Sequence, residues 1–437
     1  MSEAAARAIV AKLQAKGFQA LFAGGAVRDH LLNRPAQDFD VTTDAHPDVV
    51  MRLFPQHTAV GAKFGVILVH LLDSSIEVAT FRTESSYLDG RHPGQVVYAN
   101  TPQSDVARRD FTLNGLLLNP ANGEILDFVG GRADLAAGLV RAIGDPERRF
   151  QEDHLRMLRA VRFAARFGFE IEAATLAAIR RHARQINQIS KERVRDEIVK
   201  MLTEGRARPA FELLDSTGLL DAVLPEVARM KGIEQPPQYH PEGDVWVHTL
   251  MMINALPHPV APALALGVLL HDVGKPPTFR RAPDRIRFDR HAAIGARIAE
   301  EICHRLRLSA QDTAAVVALV ADHMQWIDLP RMRESTRKRL LRQPDVEARL
   351  ELLRLDCAMS HGDLSLWKLA QRMRAQAPPE ALRPPKLVSG EDLIAWGYRP
   401  GPQFRSMLEA VEDAQLEGTL ADRDAARRLL ADRFPIA

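Results

Sequence analysis

A chain of 437 residues is too long for one core and calls for roughly two to four domains. Its composition, 46% hydrophobic and 26% charged, is that of a globular protein and excludes a disordered or fibrous chain. With 58 basic against 56 acidic residues, a net charge of +2 excludes a bulk polycationic coat for nucleic acid but leaves local basic surfaces open. Cys303 and Cys357 form no CxxC, so neither a zinc ribbon nor a disulfide framework is expected, and a reducing compartment fits. The amphipathic start lacks the core of a signal peptide, and no apolar run is long enough for a membrane span. A cytoplasmic location without membrane contact is the expectation.

The first predicted element is a helix over residues 3–15. Leu21, Phe22 and Ala23 then read as a short buried strand ending at Gly24-Gly25. The glycines permit a tight turn and close approach of a ligand. Ala26 to Leu32 is helix-forming, so its free N–H groups would face the turn as a phosphate site, with Arg28 adding a cation. Asp38-Phe39-Asp40-Val41 reads as a strand, in which Asp38 and Asp40 share a face. Two carboxylates so close favour a divalent cation, with Mg2+ and substrate phosphate the usual combination.

A helix opens near Asp44 and reaches Phe54, and residues 65–69 and 76–80 form a hairpin turning at Asp73-Ser74-Ser75. Glu77 is either a third carboxylate beside the aspartates or a solvent-facing strand residue. Residues 82–104 are polar, carry Gly and Pro, and read as a mobile loop. Asp105 to Asn114 begins a helix with Arg108, Arg109 and Asp110 adjacent, and guanidinium forks there would suit a triphosphate. Residues 116–119 and 124–128 make a last strand pair before Gly130-Gly131.

From residue 132 the period becomes 3.6 and no further strand is expected. Residues 151–168 form an amphipathic helix with Arg156, Arg159 and Arg162 recurring on one side, after Glu152-Asp153. Another helix starts at Ile189 to Arg193. Over residues 206–375, His248 lies on a helix that Asp244 could cap. His271-Asp272 closes an apolar helix, His291 opens the next, His323 ends another, and Asp356 lies within LLRLDCAMS. Residues 331–342 hold six basic residues and one acid, which suits a solvated face or an RNA contact. A Pro-rich joint at 377–385 leads to a final helical segment.

GGxVRD at 24–29, DxD at 38–40, RRD at 108–110 and EDxxR at 152–156 occur in that order. Together they resemble the class II tRNA nucleotidyltransferase and bacterial poly(A) polymerase family. The H…HD…D series resembles the HD phosphohydrolase superfamily. The resemblance implies an α/β (α+β) nucleotidyltransferase head with a small mixed sheet, followed by a long all-α region that includes an HD-type domain. It divides the chain into a catalytic head (1–140), a base-reading and RNA-binding neck (141–205), a helical body with the HD motif (206–375) and a helical tail (376–437).

The implied activity is template-independent addition of C and A from CTP and ATP to the tRNA 3′ end. Poly(A) polymerase, a CC-only or A-only adder, and, from another class, a metal-dependent HD hydrolase with a nucleotide-binding head stay open. Asp38, Asp40 and Glu77 would be catalytic, and Asp38 and Asp40 would hold Mg2+. Gly24, Gly25, Arg28, Arg109, Asp110 and Asn114 would bind the nucleotide. Asp153 and Arg156 would read its base, because a carboxylate beside a guanidinium complements the amino donor and ring-nitrogen acceptor that cytosine and adenine share. Arg159 and Arg162 would lie further along for the triphosphate or for helix orientation. His248, His271, Asp272 and Asp356 would hold a second divalent metal, with Mg, Mn, Ni and Co all open. Oligomeric state is not legible.

Overall fold

The computed structural model describes residues 2–36, 38–61, 65–87 and 93–436. Its sheet is built around β1 (Ala20–Ala23), all four residues of which are buried. The other members are β2 (Asp40–Thr43), β3 (His57–Gly61), β4 (Val66–Leu71), β5 (Ser74–Thr80), β8 (Leu116–Leu118) and β9 (Ile125–Asp127), in the order β3-β4-β5-β2-β1-β8-β9. The β2–β5 pair is parallel and the rest antiparallel, so the sheet is mixed, as expected. Alternation in β5 buries Ile76, Val78 and Thr80 and leaves Glu77 exposed.

Several expected boundaries move. β2 begins at Asp40, so Asp38 precedes the strand and the shared-face argument does not apply to it. The expected loop over 82–104 contains a two-stranded antiparallel ribbon, β6 (Arg82–Tyr87) and β7 (Pro93–Tyr98); its residues 88–92 lie outside the described residues. A ribbon outside the main sheet needs no apolar alternation, so its sequence carries no strand period. The helix expected to begin at Asp105 instead ends at Ala107, having started at Pro102, a residue suited to a first helical turn.

The helix expected over 151–168 is broken into Pro146–Glu152 and Leu155–Phe167, with Asp153 extended between them. Asp153 Oδ1 accepts from the Leu155 backbone N–H at 3.0 Å and so starts the second helix. Four short strands also follow residue 132, contrary to expectation: β10 (Leu139–Val140) pairs with β11 (Glu170–Ile171), and β12 (Phe279–Arg281) with β13 (Ile286–Phe288). Two or three residues are too few to display a period.

The chain divides into two units, residues 1–228 with 305–307, and residues 229–304 with 308–437. The first holds the sheet and the helices that follow it through Pro225–Ala228. In the second, one core gathers Trp326, Leu329, Leu350 and Leu353, and another gathers Leu393, Met407, Val411 and Leu430 in the C-terminal segment. Arg339 and Arg342 pair with Glu412, and Lys338 donates to the Leu416 carbonyl at 2.7 Å. Part of the basic stretch at 331–342 therefore docks the helix Glu334–Leu341 on its neighbour Gln403–Leu416. Among the described residues no helix is long and apolar enough to cross a membrane.

Candidate active site

Register places the first site. Ala23 pairs with Asp40, so the carboxylate stands at the end of β1, where the chain turns through Gly24. Gly24 has φ +66°, a conformation that suits glycine, and a Cβ there would meet Arg109 at 3.4 Å. Val41 pairs with Val78 in parallel, which sets Asp40 beside Glu77 on one face. Asp40 retains exposed surface yet is closely surrounded. That crowding, then Glu77 and Asp38, raise its carboxyl to about 6 against the pull of Arg109. An acid whose ionisation is made costlier by burial and two neighbouring acids is a setting that a divalent cation relieves.

A cavity of about 450 Å3 opens over this turn, lined by Gly24, Gly25, Arg28, Asp40, Arg108, Arg109, Asp110 and Asn114 on the head side. Asp153, Arg156, Arg159, Phe163 and Arg193 line it from the helices. The arginines are aimed by buried acids. Asp105, fully buried, accepts from Arg108 Nε at 2.9 Å and Arg109 Nη2 at 2.9 Å. Arg109 Nε has no hydrogen-bond partner among the described residues and can donate to an anion. Asp110 Oδ2 accepts from Arg159 Nε at 2.8 Å, and its Oδ1 from Asn114 at 3.0 Å. Burial would raise the Asp110 carboxyl, but Arg159 and Asn114 outweigh it and hold it at about 2. Asn114 in turn accepts from Arg28 at 2.7 Å, which links the glycine-turn helix through Asp110 to Arg159.

Asp153 and Arg156 both line the cavity but do not bind each other. Arg156 donates to Glu152 at 2.9 Å and to the Arg149 and Arg108 carbonyls. Asp153 is gripped by Arg193, at 3.2 and 2.7 Å. Arg162 is not brought into this cavity. It pairs with Glu197 at 2.7 Å and lines an adjoining space of about 460 Å3 that includes Asp38, Arg166 and Lys200. Asp105 and Arg193 were missed in the sequence. Asp105 had a local signal, standing three and four residues before the two arginines; Arg193 had none.

A second candidate centre lies in the second unit. Asp244 caps the helix of His248, as its position predicts. His248 Nε2 is 3.2 Å from Asp356, and Nδ1 is 2.6 Å from Glu242. Burial alone would lower its pKa, yet those carboxylates push it up to about 9. Gly274 is packed so closely that a Cβ would collide with the His291 carbonyl, which lets the His291 helix reach the His271-Asp272 turn. His271, His291 and His323 each donate Nδ1–H to a carbonyl three residues back, at 2.8 to 2.9 Å. That leaves each Nε2 as a lone pair facing inward. The Nε2 atoms of His291 and His323 are 3.2 Å apart, and both lie within 4 Å of Asp272 Oδ1.

Facing lone pairs beside buried carboxylate oxygens fit a cation. The groups His248–His271–Asp272 and Asp272–His291–His323 each have metal-ligand spacing. Lys275 donates to Asp272 at 2.7 Å and to Gln235 at 2.5 Å, beneath a cavity of about 550 Å3 walled by Tyr239, Phe288 and Ile327. His240, Glu242 and Lys275 were not singled out in the sequence.

The fold and the first cavity define a nucleotidyltransferase head, joined to an HD-type helical region. The profile of the Poly A polymerase head domain matches residues 20–141, that of the probable RNA and SrmB-binding site of polymerase A residues 168–231, and that of the HD domain residues 246–350. A CCA-adding enzyme of Enterococcus faecalis is 45% identical over 194 residues, 44% of this chain and about half (48%) of that relative. One of Lactobacillus gasseri is 31% identical over 425 residues, 97% of this chain and 95% of that one. The crystal structure of the Bacillus stearothermophilus CCA-adding enzyme in complex with CTP superposes with a TM-score of 0.74 at 28% identity, covering 98% of this chain and 97% of that one. The chain belongs to the CCA-adding enzyme family.

Proposed function

We propose that this protein adds C and A residues from CTP and ATP to the 3′ end of tRNA, releasing pyrophosphate, without a nucleic-acid template. The observation that carries the reading is the shared cavity: Asp40, Gly24 and Arg109 line it together with Asp153 and Arg156. One nucleotide can thus meet phosphate-binding and base-reading groups at once. Arg109 and the Gly24-Gly25 turn hold the triphosphate. Asp153 accepts from the base amino group and Arg156 donates to the ring nitrogen. Arg159, fixed by Asp110, orients the helix that presents them.

Asp38 and Asp40, with Glu77 beside them, would hold Mg2+, which when bound supplies charge neutralisation at the α-phosphate and acidifies the attacking 3′-hydroxyl. His248, His271, Asp272 and Asp356, joined by His291 and His323, would hold a divalent metal for phosphoester hydrolysis, with Lys275 positioned to meet a phosphate. The working domains are a head (1–140), a neck (141–205), a body (206–375) and a tail (376–437). Acting on tRNA, the protein would work in the cytoplasm. The test is incorporation into tRNA ending before CCA, tRNA ending after CC, and an unrelated RNA, with CTP and ATP singly and together. Completion of CCA on the first substrate and A addition to the second are expected. Long A tails on the unrelated RNA would instead mark a poly(A) polymerase.

A further inference from the structure

We infer that Arg193 is a specificity-determining positioning residue, which restricts Asp153 to a single open acceptor and so excludes guanine. The inference rests on the proposed base-reading role of Asp153. A carboxylate offers about four lone-pair positions. On Asp153, Oδ1 accepts from the Leu155 backbone N–H at 3.0 Å and from Arg193 Nη1 at 3.2 Å. Oδ2 accepts from Arg193 Nη2 at 2.7 Å. One position remains, on Oδ2, and Asp153 and Arg193 both line the nucleotide cavity.

The chemistry of the four bases gives that count its meaning. Cytosine and adenine each present one amino donor beside a ring-nitrogen acceptor, so they need one acceptor from the carboxylate and a donor next to it. Guanine presents a ring N–H and an amino group side by side. An open carboxylate takes both donors bidentately, as it takes a guanidinium fork. Uracil presents a single ring N–H between two oxygens. A free Asp153 would therefore favour guanine, the wrong base. With the Arg193 fork along its edge, the carboxylate has no second oxygen free, and its plane is fixed toward the cavity. Arg193 comes from the helix Lys191–Thr203, forty residues from Asp153, so its charge serves here as an immobile prop.

The test uses the full chain and tRNA lacking CCA, with CTP competing against GTP or UTP, for wild type, Arg193→Ala and Arg193→Lys. Arg193→Ala is expected to raise GTP use relative to CTP by about tenfold or more, as the loss of one charged blocking partner implies, and to raise UTP use less. Arg193→Lys keeps the charge but covers one oxygen; it should fall between the two, and it carries the test if the alanine variant does not fold. Dissociation constants for CTP and GTP without tRNA should converge in the same order. Equal losses for CTP, GTP and UTP with unchanged ratios would overturn the inference and make Arg193 a helix-docking residue. A wild-type protein that adds neither C nor A would overturn the CCA-adding reading itself, and this inference with it.

Discussion

Asp40 and Asp110 are both acids of the candidate site, yet their surroundings drive them in opposite directions. Crowding and Glu77 lift Asp40 to about 6, whereas Arg159 and Asn114 hold Asp110 at about 2 despite burial. The first is poised for a cation, and the second is a fixed anion that props an arginine. Asp40→Ala should lower nucleotide addition in Mg2+ by at least about a hundredfold while leaving the melting temperature near that of wild type, because loss of a catalytic metal ligand costs several kcal/mol in the transition state. Addition assays with parallel thermal melts check this; a variant keeping a tenth of the rate would remove Asp40 from the chemistry. Asp110 makes a prediction about stability. Its folded pKa lies below its ordinary 3.8, so the stabilisation is full above about pH 4 and is lost as pH falls toward 2. About 1 kcal/mol should be gone by pH 3. Urea unfolding between pH 5 and 3 should show the gap between wild type and Asp110→Asn narrowing as pH falls, and a constant gap would contradict the ion pair.

At the scale of elements, the site depends on where helices stop. The helix Pro102–Ala107 ends just before Arg108 and Arg109, which frees the two side chains to turn back onto Asp105. The break at Asp153 releases its carboxylate from a helix face and lets it begin the next helix while meeting Arg193. An unbroken helix would have set Asp153 and Arg156 side by side; the structure gives them separate partners within one cavity. The basic stretch 331–342 is an element whose charge has an internal use. Arg339→Ala should loosen the C-terminal segment by no more than about 1 kcal/mol, since the pair with Glu412 is partly exposed, and should leave tRNA affinity unchanged. Differential scanning calorimetry and filter binding separate the two effects. A marked loss of tRNA affinity at unchanged stability would restore an RNA contact.

At the scale of the whole molecule, two sets of candidate ligands occur in separate compact units, one oxygen-rich and one rich in histidine. Hard Mg2+ suits the first, while imidazole ligands widen the choice for the second. Asp272→Ala should therefore reduce bound transition metal, measured by elemental analysis after dialysis, and abolish phosphoester hydrolysis, yet retain C and A addition. Loss of nucleotide addition with normal folding would show that the two centres do not work independently.

Features carried by neighbours in the chain were legible before any coordinates. The glycine turn after a buried strand, the hairpin at 66–80, the Asp244 cap and the HD turn each depend on residues a few positions apart, where backbone preference and side-chain reach decide the outcome. The motif residues of the head and the following helix were likewise readable; most of them line one cavity, while Asp38 and Arg162 line the adjoining space and Glu77 lines neither. What only tertiary packing decided is which partner each charge meets. Asp110 finds Arg159, Arg162 finds Glu197, Asp153 finds Arg193, and Lys275 finds Gln235, each across 35 to 49 residues of chain. A sequence lists those charges but holds no distance between them. Electrostatic pairing depends on separation in space and on burial, and both are set by how helices and strands pack rather than by their order.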